Sequence, residues 1–151
     1  WGGCQARKTG DLEAASSRKF GKGDVMNKKV VNLPDSVPTA PYSPAVVVGN
    51  LVFVAGQVGF DPVKRHFYGM DIMSQTRGTL QNLKTVLECA GTNMQNVVKT
   101  TIYLTNLADF EIVNQIYSEY FPEEPPARSC VQVVAIAHGA LIEIEAIATI
   151  G

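Results

Sequence analysis

Two stretches carry the residue types best suited to chemistry: Pro126-Ala127-Arg128-Ser129-Cys130 and Leu141-Ile142-Glu143-Ile144-Glu145-Ala146. Alternate residues of an extended strand share a face, so Arg128 and Cys130 point one way. By the same rule Glu143 and Glu145 share a face of the following strand, expected to be its hairpin partner. Apolar neighbours surround both pairs. A guanidinium among valines and isoleucines needs an anion, because burying an unpaired charge is very costly. Two readings of Arg128 follow. It pairs with a glutamate, inside the sheet or across a subunit contact, or it waits as a two-pronged clamp for a substrate carboxylate. Cys130 invites a nucleophile's role, but no histidine is paired with it to activate the thiol, and a cysteine alternating with valine is usually a small packing residue. His66 and His138 are isolated, and no Cys or carboxylate cluster has ligand spacing, so neither metal nor cofactor is expected.

The elements that must position these residues can be read from pattern. Lys29 to Leu33 is a short β-rich run ended by Pro34, and the four prolines between Pro34 and Pro44 indicate an extended, ordered loop. Ala45 to Val48 and Leu51 to Gly56 flank Gly49-Asn50, the composition of a tight hairpin turn. Phe60-Asp61-Pro62 opens a turn-rich connection through Gly69. From Asp71 to Ala90, Ile72, Thr76, Leu80, Leu83, Leu87 and Ala90 recur at threes and fours, and Gly91 supplies a left-handed stop, which marks an amphipathic helix. Val97 to Leu104 alternates as a strand. Asn106 is expected to cap a second helix with the stripe Phe110, Val113, Tyr117 and Tyr120, closed by Pro122. Tyr117, Tyr120 and Phe121 read as helix-core aromatics, and Glu119, Glu123 and Glu124 as a solvated face. Two strands, Ala127 to Ile136 and Leu141 to Ile150, are joined across His138-Gly139.

The order βββαβαββ implies an α+β fold, a two-layer sandwich of one mixed β-sheet with two helices on one face. The other sheet face, rich in Val, Ile and Ala, calls for oligomerisation, because large apolar patches rarely stay exposed.

Composition narrows the classes. The chain has 151 residues, 13 Lys plus Arg against 14 Asp plus Glu, 46% apolar residues and three cysteines. It is too apolar and too weakly charged for a disordered chain, and long enough for one domain with a real core. Apolar runs are interrupted well short of the ~20 residues of a membrane span. The odd, scattered cysteines argue against a disulfide framework and for a reduced, cytoplasmic setting. Residues 1–25 differ from the rest: five basic and three acidic side chains, glycine-rich, with apolar residues in no period. They read as an N-terminal tail, disordered or added, with Met26 as a start and 26–151 as a single domain. A mitochondrial transit peptide is the alternative, opposed by Asp11, Glu13 and Asp24. The domain itself has eight basic and eleven acidic side chains, a balance of −3, which argues against nucleic acid as a partner.

The chain resembles the RidA family of enamine/imine deaminases from about Lys29 to Gly151. The matching text is Ala40-Pro41-Tyr42-Ser43, Ala55-Gly56-Gln57, Asn96-Val97-Val98-Lys99-Thr100-Thr101, Asn114-Gln115-Ile116-Tyr117, and the Pro-Ala-Arg and Ile-Glu-Ile-Glu-Ala blocks around Arg128 and Glu143. The resemblance implies a chorismate-mutase-like, trimeric fold whose subunit-interface clefts bind small 2-imino and 2-keto acids. It puts Arg128 at the family's carboxylate-binding arginine and Glu143 at the acidic residue that holds water near the imine carbon. Tyr42, Gly56, Asn114 and Cys130 fall at positions lining the pocket. Ala55 departs from the family's frequent serine, and Gly59 stands where bacterial members commonly have proline. The implied reaction is hydrolysis of 2-enamine and 2-imino acids to 2-keto acids and ammonia. A 2-keto acid-binding module without catalysis, an RNA-cleaving translation inhibitor and a chaperone are the alternatives.

Overall fold

The computed structural model describes residues 27–33, 41–61 and 63–151. The tail expectation for 1–25 and most of the proline-rich loop lie outside the described residues. Gly49 takes φ of 61°, and the turn it makes joins β2 (Ala45–Val48) to β3 (Leu51–Val58) in antiparallel register, with β1 (Lys29–Val31) paired to the outside of β2. The turn-rich connection holds an unforeseen two-stranded hairpin of β4 (Phe60–Asp61) and β5 (His66–Phe67), whose turn is tied by Asp61 Oδ1 accepting from the Val63 and Lys64 amides.

Helix α1 (Ile72–Cys89) starts where Asp71 accepts from the Ser74 amide at 2.9 Å and stops before Gly91, at φ of 84°. That amide bond also holds the Asp71 carboxyl below its ordinary pKa. Its apolar stripe, Leu80, Leu83, Val86 and Leu87, is buried, as is Gln75, whose Oε1 accepts from the Leu141 amide at 2.8 Å. After β6 (Val97–Leu104), Asn106 caps a short 3-10 turn, Leu107–Asp109, rather than the second helix itself; α2 (Phe110–Tyr120) follows from Asp109. Two strands complete the sheet, β7 (Ala127–Gln132) and β8 (Ile142–Thr149).

The sheet order is β1-β2-β3-β8-β6-β7, with β6 and β7 parallel and every other pair antiparallel. The expected mixed sheet under two helices is correct, but β7 and β8 are not hairpin partners. β6 lies between them, because a parallel neighbour is reached through a crossover, here α2, and the chain then returns past β6 to fill the gap beside β3. β8 shows the cleanest alternation: Ile142, Ile144, Ala146 and Ala148 are buried against the helices, while Glu143, Glu145, Ile147 and Thr149 face the other way. With Val52, Val54, Ile102 and Leu104 they form the core, each fully buried large aliphatic side chain contributing about 1.5–3 kcal/mol. The open face carries an apolar row, Val30, Val46, Phe53 and Ile147, in cross-strand register, with Phe53 43% exposed. Glu119 is not merely solvated: its carboxylate takes a two-point grip from Arg77 at 2.6 and 2.8 Å, which ties α2 to α1 and holds its pKa low. Among the described residues no helix is long and apolar enough to cross a membrane.

Candidate active site

Arg128 lies opposite Thr100 in the parallel β6–β7 register, and Cys130 opposite Ile102. Thr100 and Ile102 are fully buried beneath the helices, so Arg128 and Cys130 point into the helix layer, at the edge strand where cover is thinnest. The residue is partly buried, and its guanidinium carbon lies 4.9 Å from the centre of the Tyr117 ring and 5.6 Å from that of Phe110. Those rings are two helical turns apart and hence on one face of α2, with Asn114 between them. The Asn114 Oδ1 is buried without a hydrogen-bond partner. Among the described residues the ion pairs are Arg77–Glu119 and Lys84–Glu88, and Arg128 has no carboxylate. Burial pushes the Cys130 thiol up, opposed by the charge of Arg128, so the sulfur is held in its less nucleophilic form.

Glu143 is placed differently. It pairs with Tyr103 on β6 and Val58 on β3, on the open face, and Glu145 accepts from the Tyr103 hydroxyl at 3.1 Å. The two glutamates do share a face, as the alternation requires. The sheet makes room for Glu143 by a bulge between Val54 and Gln57, where the Glu143 carboxylate lies in the space a side chain at Gly56 would occupy. Burial first, and the like charge of Glu145 second, raise the Glu143 pKa above the ordinary 4.5. Tyr42 is 67% exposed in the approach to β2, and, two residues on, the Pro44 carbonyl accepts from the Ala55 N–H at 3.0 Å, which ties this approach to β3.

The six residues therefore fall into two groups. Arg128, Asn114 and Cys130 lie toward the helix-side edge, and Glu143 and Gly56 meet at the bulge, with Tyr42 exposed in the approach to β2. The in-sheet form of an Arg128–glutamate pair is excluded by this opposition of faces, which leaves a pair across a subunit contact or the carboxylate clamp. Phe110, Tyr117 and Thr100 were not foreseen as neighbours of Arg128. The only hint was the seven-residue spacing of two aromatics around Asn114. Among the described residues, a cavity of about 470 Å³ lies between α1 and α2, lined by Arg77, Lys84 and Glu119, and another of about 360 Å³ lies on the open face beside Phe53, Lys99 and Glu145. Among the described residues no group of three or more His, Cys, Asp or Glu could hold a metal ion.

A family model described as Endoribonuclease L-PSP matches residues 34–150. A RutC family protein of Pyrococcus abyssi is 48% identical over 111 residues, 74% of this chain and 87% of that protein. The human 2-iminobutanoate/2-iminopropanoate deaminase is 40% identical over 111 residues, 74% of this chain and 81% of that protein. The crystal structure of RidA from an Antarctic Psychrobacter superposes with a TM-score of 0.72 at 36% identity, covering 80% of this chain and 96% of that one. With its two helices on one mixed sheet, its matched segment and these relatives, the chain belongs to the Endoribonuclease L-PSP family, also known as the RidA family.

Proposed function

We propose that the protein hydrolyses reactive 2-enamine and 2-imino acids, such as 2-aminoacrylate and its 2-iminopropanoate tautomer or 2-iminobutanoate, to 2-keto acids and ammonia. The observation that carries this reading is Arg128: a partly buried residue, its cation held between aromatic rings, with no carboxylate partner among the described residues. Such a group is poised for an anion of planar, two-oxygen shape.

The mechanism follows from the groups available. Arg128 grips the substrate carboxylate and so fixes the adjacent imine carbon. Water adds to that carbon, the resulting carbinolamine loses its nitrogen as ammonia, and the carbon–oxygen double bond of the keto acid forms. Glu143 holds and deprotonates the water, a role supported by its raised pKa, which makes its ionised form a stronger base than an ordinary glutamate. Asn114 offers an acceptor without a protein donor, suited to an N–H of the substrate. Gly56 gives room beside Glu143, and Tyr42 and Cys130 complete the pocket wall.

Because Arg128 and Glu143 face opposite ways, one chain cannot bring both to a single substrate. A homotrimer answers this, with the helix-side edge of one copy set against the open face of the next. The apolar row on that face supports association. The odd number and scatter of the cysteines, with Cys130 a free thiol, support a reduced, cytoplasmic setting. RNA cleavage is the second reading, favoured by the family description and opposed by the −3 balance of residues 26–151. The deciding experiment couples the purified protein to a threonine dehydratase and follows ammonia. Faster release that disappears in Arg128→Ala supports the proposal, and equal activity of that variant refutes it.

A further inference from the structure

We propose that Tyr117, pinned by Thr100, acts with Phe110 as a positioning device that sets the plane and direction of the Arg128 guanidinium for a two-point grip on a carboxylate. This rests on the reading of Arg128 as the substrate clamp and deepens it.

The arrangement is a closed circuit. Arg128 and Thr100 are joined through the β6–β7 register; the Thr100 hydroxyl and the Tyr117 hydroxyl are 2.7 Å apart, both buried; and the Tyr117 ring meets the guanidinium at 4.9 Å. Thr100 is 0% exposed and shares its face with Ile102 and Leu104, positions where an aliphatic residue would pack as well. What a threonine adds there is a partner for the tyrosyl hydroxyl, which would otherwise be buried unsatisfied. Tyr117 is fixed from a second side by Phe121, ring centres 4.6 Å apart. Phe110 closes the other flank of Arg128 at 5.6 Å.

A flexible arginine at a sheet edge would otherwise sample many rotamers and lose that freedom on binding. Ring faces attract the cation without neutralising it and leave the N–H edge of the guanidinium free. Burial raises the Tyr117 phenol pKa, against the Thr100 hydrogen bond and the Arg128 charge, which favours the neutral ring over a competing anion.

The test is pyruvate binding by titration calorimetry, with thermal melting measured in parallel on each variant. Tyr117→Leu removes the ring and is expected to weaken binding about tenfold, Phe110→Leu about threefold, while Tyr117→Phe keeps the ring and recovers most of the affinity. A purely structural role for Tyr117 would lower the melting temperature and leave the affinity of the folded protein unchanged. Pyruvate affinity within twofold of the parent in both leucine variants, alongside loss in Arg128→Ala, overturns the positioning device and leaves the clamp standing. Parental affinity in Arg128→Ala removes the clamp itself, and the device with it. Should Tyr117→Leu fail to fold, Phe110→Leu, at a half-buried position, decides.

Discussion

Arg128 and Glu143 project from opposite faces of one sheet, two strands apart, with β6 between them. If catalysis joins them across copies, Arg128→Ala and Glu143→Ala are each inactive alone but complement when co-expressed. Random assembly is expected to restore about one quarter of the parental ammonia release, the chance that a given contact unites an intact arginine with an intact glutamate. Mixed assemblies with no activity would overturn the shared site.

The raised pKa of Glu143 fixes the sign of a pH effect. Between the ordinary carboxylate value and the raised one, the unfolded chain ionises Glu143 and the folded chain does not. Stability from this group therefore falls as pH rises through that window and stays reduced above it. Glu143→Gln, which cannot ionise, is expected to melt above the parent at pH 7 and to lose that advantage below about pH 4. Thermal melts at the two pH values check this. The acid limb of turnover should lie above the ordinary glutamate value and vanish in the variant.

Gly56 and Gly59 differ in what a methyl group would meet. At Gly56 it meets the far end of the Glu143 side chain, which can swing aside, whereas at Gly59 it meets the backbone of Gln75, which cannot. Gly56→Ala is therefore expected to cost only about 1 kcal/mol of stability. Displacing the carboxylate should nonetheless lower turnover about a hundredfold. Gly59→Ala should show the reverse, about 2–3 kcal/mol of destabilisation in urea melts with residual activity in the folded fraction.

Gln75 is 1% exposed, and its Oε1 receives the Leu141 amide at the entry to β8. Gln75→Leu packs similarly but orphans that N–H, at an expected cost of about 1–3 kcal/mol. Hydrogen exchange at Leu141, faster in the variant than the global unfolding rate allows, would report the loss directly.

Local elements were legible because each is written in a few neighbouring residues: Gly49 for the hairpin, Asp71 and Gly91 for the ends of α1, the Ile-Glu-Ile-Glu alternation for β8. The facing of Arg128 with Cys130, and of Glu143 with Glu145, followed from the same period of two. Strand order did not, since nothing near Ala127 or Ile142 records that β8 enters between β3 and β6. The relation of Arg128 to Glu143 depends on that order, so the expected hairpin put them side by side when the sheet sets them apart. The aromatic bed of Arg128 was hidden for a similar reason. Phe110 and Tyr117 make an ordinary amphipathic stripe until α2 is laid over β7. Tyr42, Gly56 and Asn114 could be singled out only through the family resemblance, because a tyrosine, a glycine and an asparagine in those contexts have many structural uses.

The central position of β8 has a consequence for how the protein is made. The strand that joins the β1-β2-β3 half of the sheet to the β6-β7 half follows all of these strands in the chain and so is made after them. Until it emerges, the nascent chain holds two half-sheets with exposed facing edges, a form that invites pairing with other chains. Closing the sheet waits on pairs as distant in sequence as Leu51 and Thr149, whose loop-closure cost slows folding, and removing residues 142–149 would part the two halves of the sheet.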